Sequence, residues 1–118
     1  MDFITPEQYQ RLAENGKLGL KADYLPVVML ENSAEQEIWL LTSIGQFYPM
    51  AYGLRVKEGH APCMKPLDIY GLFQNNAEQL FVPEPAFVPQ FPVSFYQAHA
   101  EQRNGTLDRN LLTTPIPY

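Results

Sequence analysis

The apolar positions of the chain begin with a helical period and then change to the periods of strands. Tyr9, Leu12 and Ala13 share one helical face. Ahead of them Thr5 suits the N-cap, Pro6 the first helical position, and Gln8 completes a Thr-x-x-Gln capping box. Ile4 and Tyr9 have the spacing of a hydrophobic staple. Asn15-Gly16 predicts the helix end, because both residues tolerate a left-handed backbone. A helix of about ten residues is marginal alone, so it is expected to dock on something larger.

After Pro26 the pattern becomes strand-like. Val27-Val28-Met29-Leu30 and Ile38-Trp39-Leu40-Leu41-Thr42-Ser43-Ile44 flank a polar, turn-like stretch at 31–36 and predict a hairpin. Neither run alternates cleanly, which predicts that both faces of the sheet are covered. The chain breaks over 45–49. Met50, Tyr52, Leu54 and Val56 then alternate with Ala51, Gly53 and Arg55, the pattern of a half-exposed strand. Gly53 inside it marks a bulge or a close backbone approach.

The C-terminal half is less regular. Residues 57–66 predict a loop. Pro66 is expected to open a short helix carried by Leu67, Tyr70 and Phe73, with a strand as the competing reading. Asn75-Asn76 predicts a turn and residues 79–82 a short strand. Residues 83–92 hold four prolines, which rule out a regular helix or a central strand. Ser94, with Gln97 three residues on, predicts a second capped helix that stops at Asn104-Gly105. The tail, 111–118, should be extended. Together these elements predict one α+β domain over 1–118: a small antiparallel sheet from 27–30, 38–44, 50–56 and 79–82, with two or three short helices packed on it.

Composition narrows the function. At 118 residues and 46% apolar, the chain can hold a core without staples. A single cysteine, Cys63, excludes an internal disulfide framework and a thiol-zinc cluster. The first residues lack the basic and apolar regions of a signal peptide. The longest apolar run, 38–41, is far below the roughly 20 residues that span a bilayer. A cytoplasmic protein without membrane contact is expected. The net charge is −5. Residues 22–54 and 66–102 contain no Lys or Arg at all, so a phosphate-neutralising stripe cannot be built from them and direct nucleic-acid binding is not expected. An acidic face of this kind either meets a basic partner or simply solvates the fold.

Candidate chemistry is thin. His60, Cys63 and Asp68 permit a Cys-His-Asp group to be drawn, but a solvated loop histidine beside an ordinary thiol explains the same residues. His99 has no partner at metal-ligand spacing, so neither a metal site nor a cofactor is expected. No glycine-rich phosphate loop is present. The sharpest feature is the Pro-aromatic segment. On its stiff backbone Phe87 and Phe91 would form a preorganised docking strip, with Glu84 and Tyr96 completing the expected partner-contact set. The alternative is a covering segment whose phenylalanines pack onto the sheet. A split is expected, with Phe95 inward at the start of the second helix and Phe87 or Phe91 outward.

Thr5-Pro6, Leu12, Asn15-Gly16, Asp23, Pro26-Val27-Val28, Trp39-Leu40-Leu41-Thr42 and Ala51-Tyr52-Gly53-Leu54 give the chain a likeness to a known family. Over residues 3–55 it resembles domain of unknown function 2958, small bacterial proteins borne by plasmids, phages and integrated elements. The likeness is confined to the N-terminal half; from residue 55 on, the chain is expected to depart from the family. The resemblance implies no catalytic residue. No activity follows from membership; small size, acidity, the missing active-site signatures and the family's genomic setting together favour a protein-binding module from a mobile element, such as an inhibitor of a host defence or regulatory complex of the anti-CRISPR or anti-restriction kind. Two other classes remain open: a small enzyme using the Cys-His-Asp group, and a self-assembling subunit whose Pro-aromatic segment is a dimer interface.

Overall fold

A computed structural model describes residues 4–19, 22–45, 50–68 and 81–113. In chain order the elements are helix α1 (Pro6–Leu18), strands β1 (Val28–Asn32), β2 (Glu37–Ile44), β3 (Met50–Lys57), β4 (Cys63–Asp68) and β5 (Val82–Pro83), then helices α2 (Val93–Gln102) and α3 (Arg109–Thr113). The strands form one antiparallel sheet in the order β4-β3-β2-β1-β5. The α+β architecture expected from the pattern is the one observed.

The sheet is covered on both faces, which is why β1 and β2 are apolar without alternation. On one face α1 sets Ile4 and Leu12 against Val28, Leu30, Trp39, Leu41, Ile44 and Ala51. On the other, Met29, Leu40, Leu54 and Val56 lie under Val93, Tyr96, Ala100 and Leu112. Successive residues of 28–30 and 39–41 therefore serve opposite cores.

One irregularity sets the parity of β2. Leu41 pairs with Gly53 and Ser43 with Tyr52, leaving Thr42 as the extra residue of a bulge. An unbroken strand would point Leu41 and Ile44 to opposite faces; the inserted residue returns Ile44 to the α1 side. Thr42 donates its hydroxyl to the Tyr52 carbonyl at 3.0 Å, and its own carbonyl accepts from the Asn15 side chain at 2.9 Å. Gly53 sits where a Cβ would overlap the Leu40 carbonyl, so of the two expectations the close approach holds at Gly53, while the bulge lies opposite it in β2.

The capping box of α1 forms as predicted: Thr5 Oγ1 accepts from the Gln8 amide, and Gln8 Oε1 from the Thr5 amide. Its end does not fall at Asn15-Gly16. The helix continues to Leu18 and is closed by Gly19 at φ 135°. Gly16 instead lets the helix lie directly on the Ile44 carbonyl, which any Cβ there would overlap, and Asn15 ties the helix to the bulge. The Tyr24 hydroxyl, 2.7 Å from the carbonyl oxygens of Asn15 and Gly19, satisfies the frayed end.

Three further expectations are corrected. Of the tail expected to be extended, residues 111–113 belong to α3, and 114–118 lie outside the described residues. The segment 57–66 is not all loop, because residues 63–66 already belong to β4. The helix expected from Pro66 is absent over 66–68, which continue the strand with Pro66 opposite Tyr52. An edge position tolerates a proline, since one side of the ladder needs no donor. Tyr70, Phe73, the Asn75-Asn76 turn and residues 79–80 lie outside the described residues. Of the predicted last strand, Val82 is recovered and pairs with Glu31.

Candidate functional site

The C-terminal layer arises because its prolines cannot join the sheet. Beyond β5, residues 84–92 cross the face formed by Met29 and Leu40, and α2 follows at Val93. The residue before α2 is Pro92, which has no side-chain acceptor. Ser94 does not cap the helix, contrary to expectation. Its amide and hydroxyl donate to Asp23 Oδ1 at 2.9 Å and Oδ2 at 2.7 Å, and the Val93 amide donates to the Tyr24 carbonyl at 2.8 Å. A carboxylate from a distant segment thus supplies the helix N-terminus with the acceptor its own sequence lacks. At the other end Asn104 (φ 55°) and Gly105 (φ 82°) reverse the chain as predicted. The Asn104 carbonyl accepts from the Gly59 amide, which fastens α2 to the β3–β4 turn.

Around this helix stands an aromatic group. Tyr96 is fully buried, and its hydroxyl accepts the Gln90 amide at 3.2 Å. Phe87 and Phe91 are half-buried against the same core, with ring centroids 6.4 and 6.1 Å from Tyr96. Phe95 is 43% exposed and stacks on Phe91 at 4.2 Å and 24°. The inward direction expected of Phe95 is therefore wrong. Position 95 is turned about 100° from Tyr96 around the helix, its ring edge-on to Tyr96 at 6.0 Å, on the side where Ser94, Ala98, Glu101 and Gln102 are also exposed. Of the predicted contact residues, Phe91 and Phe87 reach the surface in part. Tyr96 does not, and it supports the strip from beneath. Glu84 is half-buried and pairs with Arg109 Nη1 at 3.3 Å. Arg109 Nη2 also lies 2.6 Å from Glu31 Oε2, and this bond and charge, with Glu84 adding, hold the guanidinium above its ordinary pKa. Sequence reasoning missed Phe95, Asp23 and Leu25, the last 50% exposed one residue beyond the Tyr24 carbonyl that holds Val93.

The Cys-His-Asp group is not assembled. Cys63 pairs with Arg55 and Asp68 with Met50 at opposite ends of β4, roughly 16 Å apart at strand rise. His60 is exposed in the preceding turn. The cavity beside it, about 250 Å³, is lined by residues 59–62, Glu101, Asn104 and Gly105 and offers no thiol or hydroxyl. Among the described residues no group of three His, Cys, Asp or Glu side chains could hold a metal, and no helix is long and apolar enough to cross a membrane.

A family model described as "Protein of unknown function (DUF2958)" matches residues 3–107. The chain belongs to this family. Membership extends well past the N-terminal half in which the likeness was legible: the DUF2958 match takes in β4, β5, the Pro-aromatic segment and the whole of α2. The expected departure from the family after residue 55 is thus corrected. No curated protein and no solved structure matches the chain.

Proposed function

We propose that this DUF2958 protein is a binding module that docks on another protein through the Phe91–Phe95 strip. The observation that carries the reading is Phe95. A large aromatic left 43% exposed on a half-buried stacking partner is a preorganised anchor, since the ring beneath it limits its side-chain freedom. The separation of Cys63 from Asp68 removes the support for the enzyme reading. Action as an inhibitor of a host complex, with mobile-element carriage, fits a small module whose contact surface is a few residues wide. A photo-crosslinking residue placed at 95 and, as control, at the exposed Arg11 of α1 tests this in the native host. The reading expects a protein captured at 95 and not at 11, displaced by excess unlabelled protein but not by excess Phe95→Ala. Equal capture at both positions refutes it.

A further inference from the structure

The strip has a chemical bias that the fold makes local. Its parts come from residues 22–25 and 87–102, and both segments lie inside the two stretches that contain no Lys or Arg. Exposed in these two segments are the carboxylate of Asp23, held at Ser94 beside Phe95, and the apolar side chains of Leu25 and Pro92, while Glu101 adds its charge further along α2, beside His60. The hydrogen-bond partners of Asp23 here, the Ser94 amide and hydroxyl, are neutral. The nearest cation along α2 is Arg103, roughly 12 Å beyond Phe95 at helical rise.

From this we infer that the partner presents an arginine-bearing segment with apolar neighbours, its guanidinium lying on the Phe95 face. The inference rests on the strip being the contact surface. An aromatic face attracts a cation through its quadrupole, and a planar guanidinium stacks better than an ammonium. The Asp23 carboxylate at the rim steers the same charge, and the described segments 22–25 and 87–102 hold no Lys or Arg to oppose it. A second copy of this chain would set acid against acid across the interface. A nucleic acid can stack on aromatic rings, but it would bring phosphates to segments, 22–25 and 87–102, that hold no Lys or Arg.

The test is fluorescence anisotropy of the full chain with four labelled probes: a peptide of three Leu-Arg-Ala-Arg repeats, the same peptide with Lys or with Glu replacing Arg, and a 12-nucleotide oligo-dT. Expected is salt-sensitive binding of the Arg peptide, several-fold weaker binding of the Lys peptide, and no binding of the Glu peptide or oligo-dT. Phe95→Ala should weaken the Arg peptide tenfold or more and erase the preference for Arg, while Phe95→Tyr keeps both. The Ala variant changes no charge, so a nonspecific attraction to an acidic protein would not respond to it, and a melting curve verifies that it is folded. Unchanged affinity in Phe95→Ala overturns the inference, as does oligo-dT bound as tightly as the Arg peptide. So does a concentration-dependent dimer in sedimentation that Phe95→Ala abolishes. Crosslinking at 95 with failure of the peptide series would discard the arginine chemistry alone; absence of crosslinking at 95 would discard the surface as well.

Discussion

Asp23 is the most informative single position, because one carboxylate joins the strand-side segment to the N-terminus of α2. In Asp23→Ala the Ser94 amide and hydroxyl lose acceptors at 2.9 and 2.7 Å. Removing an N-cap acceptor typically costs about 1 kcal/mol. Loss of a negative charge at an exposed helix N-terminus adds about 0.3–1 kcal/mol. Asp23 is exposed, so water replaces part of both, and a loss of about 1–1.5 kcal/mol is expected. For a domain of this size that is a fall in Tm of roughly 4 °C. Asp23→Asn keeps an acceptor oxygen without the charge and should cost about half as much. Thermal melts and urea titrations of Asp23→Ala, Ser94→Ala and the double variant form a cycle whose coupling should reach about 0.5 kcal/mol. Protection of the Val93 amide, held by the neighbouring Tyr24 carbonyl at 2.8 Å, should fall in parallel. An Asp23→Ala variant melting within a degree of the parent, or a coupling near zero, would refute a helix start supplied from elsewhere in the chain.

Three other outcomes follow from the packing. Gly16→Ala should destabilise by about 1–3 kcal/mol as the new methyl meets the Ile44 carbonyl, reversing the gain of up to about 1 kcal/mol that Ala brings to a helix; a higher Tm would contradict the close approach. Trp39→Ala should cost about 3–5 kcal/mol, since the ring is 6% exposed and its Nε1–H reaches Glu37 Oε2 at 2.7 Å; denaturant unfolding measures it, and a loss under 1 kcal/mol is incompatible with this core. Tyr96→Ala should cost about 3–5 kcal/mol while Phe95→Ala costs under about 1 kcal/mol, and equal losses in paired melts would erase the distinction between support and surface.

What the sequence made legible was local. Thr5, Pro6 and Gln8 specify their helix start because the capping box needs only neighbours. The unalternating runs around Met29 and Leu40 announced a sheet with two cores. Most of the misreadings involve partners far away in the chain. Asn15-Gly16 has the chemistry of a helix end, yet its side chain and its missing Cβ serve a bulge at Thr42 and Ile44. Ser94 has the chemistry of a cap, yet it is itself the group being held. Pro66 could open a helix, but the β3 ladder claims it. The strip was half read: proline spacing pointed to residues 83–92, whereas the most exposed ring, Phe95, comes just after them. Its outward direction depends on where α2 begins, and that is fixed from residues 23 and 24.

The strand order carries a consequence for how the molecule is built. Strands β1 to β4 pair with their sequence neighbours, so their meander closes through short loops at small entropic cost. Among the described strands only β5 returns across the chain, with Val82 reaching back to Glu31, and it brings the C-terminal layer with it. A chain emerging from the ribosome can therefore complete the α1 side of its sheet while Met29, Leu40, Leu54 and Val56 are still wet. That apolar underside is the hazard of the nascent protein, open to chaperones and to misassociation until residues 82–113 arrive. The order of closing also sets an order of opening: the layer that bears the aromatic strip should exchange its amide hydrogens ahead of β2 and β3, so the proposed contact surface is carried on the least persistent part of the fold.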